Sequence, residues 1–438
     1  MTFTLIAIIV ILLIAIFIGT PVSFALGFVG VVVTLLFLSP IQLIQFGSIV
    51  YTQGSSMNQL VAPLFILMAE ALAQGDVASD IFLVINKWMR RITGGLALSA
   101  TLASTVFAAL CGSSVATAAA IGRISINEMV QKGYKEEFAT GVVAAGGTLG
   151  IMIPPSITMV VYGIITENSI VKLFMAGVLP GLLLSTLLCA FIFMRAKLNP
   201  SLVRGSEESL VRKKNSSEET YTNLRQDLKL GLPPMLLILL VLGSLYTGVA
   251  TPTEAAGFGA IGALVIIIFL RRFNMRFLSS VMGSSARTSA MILFLIFGGM
   301  SLTYIVSYLG LAQEVANAIV GSGQNKWLIL FWIYVLWFIL GCLMDPMSMV
   351  VLTIPFIYPT MMGLGFDPIW LGVVSTLAVE IGMITPPVGL NLFVLRAITG
   401  ISMNKVMWGS LPFVAVLLVA LAIVTVFPEI ALFLPNLK

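Results

Sequence analysis

The sequence predicts an all-α polytopic membrane protein whose two five-crossing halves repeat one another in inverted orientation. Three observations carry that expectation. The 438-residue chain is 59% hydrophobic and 9% charged, with a mean hydropathy of +1.09, far from the roughly quarter-charged balance of a soluble domain. Apolar runs near the roughly 20 residues that span a bilayer follow one another from end to end. Landmarks also recur at an offset of about 231 residues: Thr20-Pro21 as Thr251-Pro252, Cys111 as Cys342, Gly150 as Gly382, Pro154-Pro155 as Pro386-Pro387, and Pro180 as Pro412. Internal similarity of this length points to one structural unit used twice.

In chain order, full crossings are expected at about 3–18, 22–38, 57–74, 139–167 and 171–194, and again at about 232–250, 253–270, 287–308, 368–398 and 404–427. The first run resembles the apolar part of a signal peptide, but it lacks a basic start and Gly19-Thr20-Pro21 leads straight into another span, so it reads as a retained helix. Two further apolar stretches, 95–122 and 327–362, are interrupted by Gly112-Ser113-Ser114 and by Asp345-Pro346. Polar backbone at membrane depth is tolerated only where protein or a cavity covers it. Both stretches therefore read as re-entrant hairpins. Each follows a mildly polar segment, 76–92 or 309–323, suited to lie along the interface.

The domain plan is then a first repeat over 1–194, a cytoplasmic linker over 195–231 and a second repeat over 232–438. Within the first, scaffold helices occupy 1–75, an interfacial helix 76–92, the hairpin and broken helix 95–167, and a last helix 171–194. In the second, the corresponding parts are 232–308, 309–323, 327–398 and 404–427. Five crossings per half is an odd number, so equivalent points face opposite ways. With both termini outside, all but three (Lys172, Lys326 and Lys438) of the 23 basic residues fall on the cytoplasmic side, as the positive-inside rule requires.

The linker carries Glu207-Glu208, Arg212-Lys213-Lys214 and Glu218-Glu219, a solvated mixture of charge. Asn215-Ser216-Ser217 in it matches a glycosylation sequon by chance, given its cytoplasmic side. The net charge of +5 sits in short loops and sets topology; it does not form a nucleic-acid patch. Cys111, Cys189 and Cys342 lie in apolar segments and read as small packing residues. The chain has no histidine, which weakens readings as a metalloprotease or a histidine-dependent serine peptidase. Gly257 to Gly262 fits G-x-G-x-x-G, but inside a crossing it signals close helix packing. No Walker sequence occurs. Trp327, Trp332 and Trp337 read as interface anchors or core.

The chemistry concentrates in two matching sets. The first joins the hairpin tip Gly112, Ser113 and Ser114 to Gly147, Thr148, Gly150, Pro154, Pro155 and Ser156. The second joins Met344, Asp345, Met347 and Ser348 to Gly382, Thr385, Pro386, Pro387 and Asn391. A double proline removes backbone donors and unwinds its helix. The freed carbonyls suit a hard cation such as Na⁺, and the half-helix amino terminus beyond suits a carboxylate, the arrangement of a secondary transporter.

The expected cation ligands are Gly112, Ser113, Ser114, Gly147, Thr148, Gly150 and Pro154, with Met344, Asp345, Gly382, Thr385 and Pro386. The expected substrate contacts are Ser113, Ser114, Pro155, Ser156, Asp345, Met347, Pro387 and Asn391. Proline kinks and glycines that only shape packing are the plainer reading, and their occurrence at equivalent places in both halves favours the site. Asp345 is the sharpest residue, since a membrane-depth carboxylate needs a partner. Capping the helix it precedes is its other reading. Glu380 supports the second break or pairs structurally, Glu70 helps fix the third crossing or pairs structurally, and Glu254 caps a helix.

Thr20-Pro21, Pro63-Leu64-Phe65, Gly112-Ser113-Ser114 and Gly150 through Ser156, followed by Thr251 through Ala256, Asp345-Pro346 and Thr385 through Gly389, together resemble the large membrane subunit of the tripartite ATP-independent periplasmic (TRAP) transporters along essentially the whole chain. The resemblance implies a Na⁺-driven importer of carboxylate-bearing solutes in a bacterial inner membrane, working by elevator motion with two or more Na⁺ ions. It implies a small four-helix membrane subunit, expected here as a separate polypeptide, and a periplasmic substrate-binding protein. Sialic acid and C4-dicarboxylates are the expected substrate types, and nothing in the residues separates them. A stand-alone Na⁺/anion symporter of the same architecture is the alternative, and a membrane-embedded enzyme is a third reading.

Overall fold

A computed structural model describes residues 2–203 and 224–437. The charged clusters of the linker and its sequon lie outside the described residues. Every regular element among those residues is a helix. The first half runs α1 (Thr2–Phe17), α2 (Val22–Phe37), α3 (Leu43–Gly54), α4 (Val61–Gln74), α5 (Val77–Met89), α6 (Gly95–Cys111), α7 (Ser114–Gln131), α8 (Glu136–Met152), α9 (Ile157–Thr166) and α10 (Ile170–Leu198). The second runs α11 (Leu224–Thr247), α12 (Pro252–Phe269), α13 (Met275–Tyr308), α14 (Leu311–Gly321), α15 (Lys326–Gly341), α16 (Pro346–Gly363), α17 (Pro368–Met383), α18 (Leu390–Thr399), α19 (Met403–Val426) and a short α20 (Glu429–Asn436).

The hairpin arms and broken helices recur in order and in length. The hairpin arms are 17 and 18 residues in the first half and 16 and 18 in the second. The broken helices are 17 then 10 residues, and 16 then 10. Helix starts explain part of this register. Asp345-Pro346 and Asp367-Pro368 each place a capping carboxylate before a proline at the first helical position. Thr251 and Glu254 form a capping box at α12, the role expected of Glu254.

The most buried helices are α8 and α17, in which every side chain from Phe138 to Met152 and from Ile369 to Met383 is sequestered. The arms α6 and α7 lie against α8 together with α19, and α15 lies against α17. Around them α2 packs on α13, and α4 packs on α12 and α13. Partners are exchanged between halves: α7 packs on α18, while α16 packs on α9. That exchange interlocks the two halves so that neither has a core of its own.

Polar ties cross the same boundary. Arg272, just past α12, makes a bidentate pair with Asp80 of α5 at 2.6 and 2.9 Å and also donates to the Gly75 carbonyl at 2.7 Å. The Asp80 carboxylate holds the Arg272 guanidinium above its usual range, chiefly through those hydrogen bonds. Lys87 pairs with Asp227, and Lys405 of α19 reaches Glu136 of α8 at 2.9 Å. The Tyr162 hydroxyl donates to the Pro368 carbonyl at 2.7 Å.

Several boundaries differ from the sequence expectation. Among the described residues, eight helices are long and apolar enough to cross a membrane. The expected crossings 3–18 and 22–38 are present as 16-residue helices, about 24 Å each and short of a ~30 Å hydrocarbon core. The stretch 346–363, expected as a hairpin arm, is itself among the eight. The crossing expected to begin at 287 starts at Met275, where Asn274 caps a helix of 34 residues. Its counterpart in the first half is split into α3 and α4. The second arm of the first hairpin runs to Gln131, past the expected 122.

Packing follows the expected chemistry elsewhere. A Cβ on Gly259 would meet the Met68 sulfur at 2.6 Å and one on Gly262 the Leu237 Cδ1 at 2.5 Å, so these two glycines let helices close up. Trp337 is buried and donates to the Thr353 hydroxyl at 3.0 Å, whereas Trp327 and Trp332 are exposed on the apolar surface.

Candidate functional site

The first hairpin tip is built on a glycine. α6 closes with Gly112 at φ +63°, a left-handed conformation that disfavours any Cβ. The next residue, Ser113, is extended and caps α7 by accepting from the Ala116 N–H at 3.4 Å. The tip then docks on the first broken helix. The Ile157 N–H, just beyond Pro154-Pro155, donates to the Gly112 carbonyl at 3.3 Å. A Cβ on Gly112 would lie 2.5 Å from the Pro155 carbonyl oxygen. Ser156 caps the restarted helix by accepting from the Met159 N–H at 3.3 Å.

Gly147 and Gly150 make the same junction from the other side. A Cβ on Gly150 would meet the Ser113 carbonyl oxygen at 2.5 Å and the Thr117 hydroxyl at 2.7 Å. One on Gly147 would meet the Ala118 Cβ at 2.7 Å.

The second tip repeats the device with different residues. Gly389, just beyond Pro386-Pro387, donates its N–H to the Cys342 carbonyl at 3.2 Å, as Ile157 does to Gly112. Gly382 sits where a Cβ would meet the Gly341 Cα at 2.6 Å. Cys342, expected as a packing residue, places its sulfur 3.5 Å from the Thr385 carbonyl. Both Pro-Pro bonds are cis. The two junctions differ in access: Pro154, Pro155 and Ser156 are buried, whereas Pro387 and Leu343 are exposed.

Asp345 caps α16 in full. One carboxylate oxygen accepts the N–H groups of Met347 at 3.1 Å and Ser348 at 3.0 Å, and the other accepts the Ser348 hydroxyl. Met347 is half-buried and Met344 buried beside it. The hydroxyls of Thr148 and Thr385 turn back onto their own helices, to the carbonyls of Ala145 at 2.6 Å and Ile381 at 2.5 Å. Glu70 accepts from Gln74 at 2.8 Å in its own helix, a structural pairing.

Between the junctions a polar cluster joins the halves. Ser114 donates its hydroxyl to Glu380 Oε2 at 3.0 Å and accepts from Asn391 Nδ2 at 2.7 Å. Ser114 is 2% exposed, and Glu380 and Asn391 are fully buried. The other oxygens of that pair, Glu380 Oε1 and Asn391 Oδ1, have no hydrogen-bond partner among the described residues, and neither has the Thr117 hydroxyl. The ion pairs among the described residues use Asp80, Glu128, Glu136 and Asp227. Glu380 and Asp345 are in none of them, so these two acidic side chains have no basic partner among the described residues. A hard cation with oxygen ligands fits that donor set.

The structure thus brings Gly112, Ser113, Ser114, Gly147, Gly150, Pro154, Pro155 and Ser156 together at one junction. At the other it brings Gly382, Thr385 and Gly389, which flank Pro386-Pro387, against Gly341 and Cys342, with Met344 and Asp345 next along the tip, and Asn391 crosses to the first through Ser114. Thr117 was missed by the sequence reading, although it stands one turn past Ser114 on the same arm. Glu380 was left open there, and the structure pairs it with Ser114 of the other half.

Known proteins share this architecture and sequence. A solved transporter from Alcanivorax borkumensis, YdaH, described as having an unusual topology, aligns with a TM-score of 0.57 over 90% of each chain at 15% identity, a likeness of fold alone. A C4-dicarboxylate TRAP transporter large permease protein, DctM, of Pseudomonas aeruginosa is 38% identical over 94% of each chain. A sialic acid TRAP transporter large permease protein, SiaM, of Vibrio cholerae is 29% identical over 96% of each. An isethionate TRAP transporter permease protein, DctMQ, of Oleidesulfovibrio alaskensis is 32% identical over 95% of this chain and 64% of its own length. The family described as tripartite ATP-independent periplasmic transporter, DctM component, matches residues 9–430, and the chain, a multi-pass membrane protein, belongs to that family.

Proposed function

We propose that this chain is the membrane permease subunit of a Na⁺-driven, binding-protein-dependent secondary transporter that imports a carboxylate-bearing organic acid. The observation that carries the reading is the paired docking of hairpin tips on double-proline breaks, Ile157 to Gly112 and Gly389 to Cys342, around buried side-chain oxygens of Glu380 and Asn391 with no hydrogen-bond partner among the described residues. Backbone carbonyls and hydroxyls at such breaks are hard ligands suited to Na⁺, and the N-termini of α9 and α18 suit a carboxylate. Na⁺ neutralises the acidic centre before a substrate anion enters, which couples the two fluxes.

The exchange of partners between halves supports an inverted repeat. In the elevator scheme, α6 to α9 and α15 to α18 slide together against a scaffold that includes α2, α4, α12 and α13. The greater identity to a C4-dicarboxylate permease than to a sialic acid permease favours a C4-dicarboxylate as substrate. The proposed assembly includes a small four-helix membrane subunit and a periplasmic binding protein. It sits in a bacterial inner membrane, with both termini of this chain periplasmic.

Reconstitution in liposomes tests the scheme. A Na⁺ gradient is expected to drive uptake of labelled succinate only when the small subunit and the loaded binding protein are present. Uptake by this chain alone favours the stand-alone symporter, and uptake of sialic acid instead reassigns the substrate.

A further inference from the structure

We propose that the groove between α5, α6 and α11 seats one acyl chain of an anionic phospholipid, whose headgroup lies against Arg90 and Arg91. The groove encloses about 350 Å³. Ile81, Val84, Ile85 and Trp88 of α5 form one wall, with Val106 of α6 and Leu232 of α11 completing it. The four α5 positions are spaced i, i+3, i+4 and i+7, which is one face of a helix. Trp88 at the end of that face is 71% exposed, as suits an indole at headgroup level.

Size selects the occupant. A helix with its side chains is about 10–12 Å across and rises 1.5 Å per residue, so two turns fill roughly 1,000 Å³. No partner helix fits inside this groove. A methylene is close in size to a water molecule, about 30 Å³, so the groove holds roughly a dozen of them, most of one acyl chain.

Charge selects the headgroup. Asp227 is the acidic side chain that lines the groove, and Lys87 pairs with it. Following the α5 stripe one turn beyond Trp88 leads to Arg91, and Arg90 before it keeps helical backbone angles. Both arginines are exposed, and neither is in an ion pair among the described residues. The mouth of the groove therefore carries two uncompensated guanidinium groups beside an interfacial indole. Guanidinium forks match phosphate oxygens, and a lipid phosphate with net negative charge is the anion a bilayer supplies at that depth. The site stands whether or not Na⁺ drives transport. Because Val106 belongs to the arm that ends at the Gly112 tip, the lipid wedges α5 and α11 against the first hairpin.

The test counts bound lipid. The full chain is stripped of lipid in detergent and titrated with phosphatidylglycerol or phosphatidylcholine, and adducts are counted by native mass spectrometry. One phosphatidylglycerol per chain is expected to bind well below the concentration at which phosphatidylcholine does. The double variant Arg90→Gln/Arg91→Gln is expected to weaken that lipid roughly thirtyfold, about fivefold for each basic residue beside a charged headgroup. Gly231→Leu tests the slot itself: a Cβ there meets Val84 Cγ1 at 3.4 Å, an ordinary contact, so the added side chain fills the groove. It is expected to abolish the preferred adduct while both arginines remain. Should Gly231→Leu fail to fold, the arginine variant, confined to the surface, still decides. Equal binding of the two lipids, or wild-type affinity in either variant, overturns the site. Loss of the phosphatidylglycerol when the small membrane subunit is added assigns the groove to that subunit and also overturns it.

Discussion

Asp345 accepts two backbone N–H groups and a hydroxyl at the start of α16, so replacing it tests a cap and a charge at once. Asparagine caps as well as aspartate, whereas alanine costs about 1 kcal/mol. Asp345→Asn is therefore expected to keep the thermal midpoint of the purified subunit and to lose most Na⁺-dependent uptake, because only the charge has gone. Asp345→Ala is expected to lose both. Asp345→Asn with wild-type Na⁺ dependence leaves the residue as a cap and nothing more. Ser114 poses the opposite case, since its hydroxyl serves two buried partners. Ser114→Ala leaves a carboxylate oxygen and an amide N–H unpaired, at a cost of about 1–3 kcal/mol. A lowered thermal midpoint together with a raised half-saturating Na⁺ concentration is the expected result, and an unchanged midpoint contradicts the bridging role.

At the scale of elements, the junctions depend on glycines that admit backbone against backbone. Gly112 combines φ +63° with a Cβ position 2.5 Å from the Pro155 carbonyl oxygen. Gly112→Ala is expected to cost upward of about 1–2 kcal/mol from the left-handed conformation alone, with the steric conflict added. Gly257→Ala, where a Cβ meets nothing within 4 Å, is the matched control and is expected to be neutral. Thermal unfolding of the two variants in one detergent separates them, and equal midpoints contradict the docked tip. These junctions were legible in the sequence because a break of Gly, Ser, Asp or Pro inside an apolar run has few explanations. The helix α3 was not legible. Its residues Leu43 to Gly54 mix Gln, Ser, Gly and Thr with the apolar ones, none of its side chains is buried, and no crossing was expected between 38 and 57. The same holds for the first turns of α13, where Arg276, Ser279, Ser280 and Arg287 hide a helix that continues unbroken into a crossing. The link of Ser114 to Glu380 spans 266 residues and that to Asn391 277, and no local pattern announces a contact made only by folding.

For the whole molecule, the hairpin arms and broken helices of the two halves follow the same order with similar lengths, and packing partners of one half are supplied by the other. Because α7 packs on α18 and α16 on α9, the hairpins and broken helices of both halves form one interlocked unit that cannot separate without exposing its core. One of its contacts with the surrounding helices is short: α16 meets α13 where the Val351 side chain lies against the backbone of Gly299. A body that slides must break that face and keep the internal ones. Gly299→Cys with Val351→Cys places two thiols across the boundary that moves in the proposed elevator scheme, and the smaller side chain at 351 relieves the crowding there. Oxidation to the disulfide is expected to bring Na⁺-driven uptake down to the background of empty liposomes, and reduction to restore it. Gly122→Cys with Leu395→Cys joins α7 to α18 inside the unit, where a Cβ on Gly122 would lie 2.9 Å from Leu395 Cδ2. That bond is expected to leave uptake intact, since both helices travel together in the proposed scheme. Full transport with 299 and 351 bridged means that the two bodies do not move past each other there, and the elevator scheme then fails for this protein.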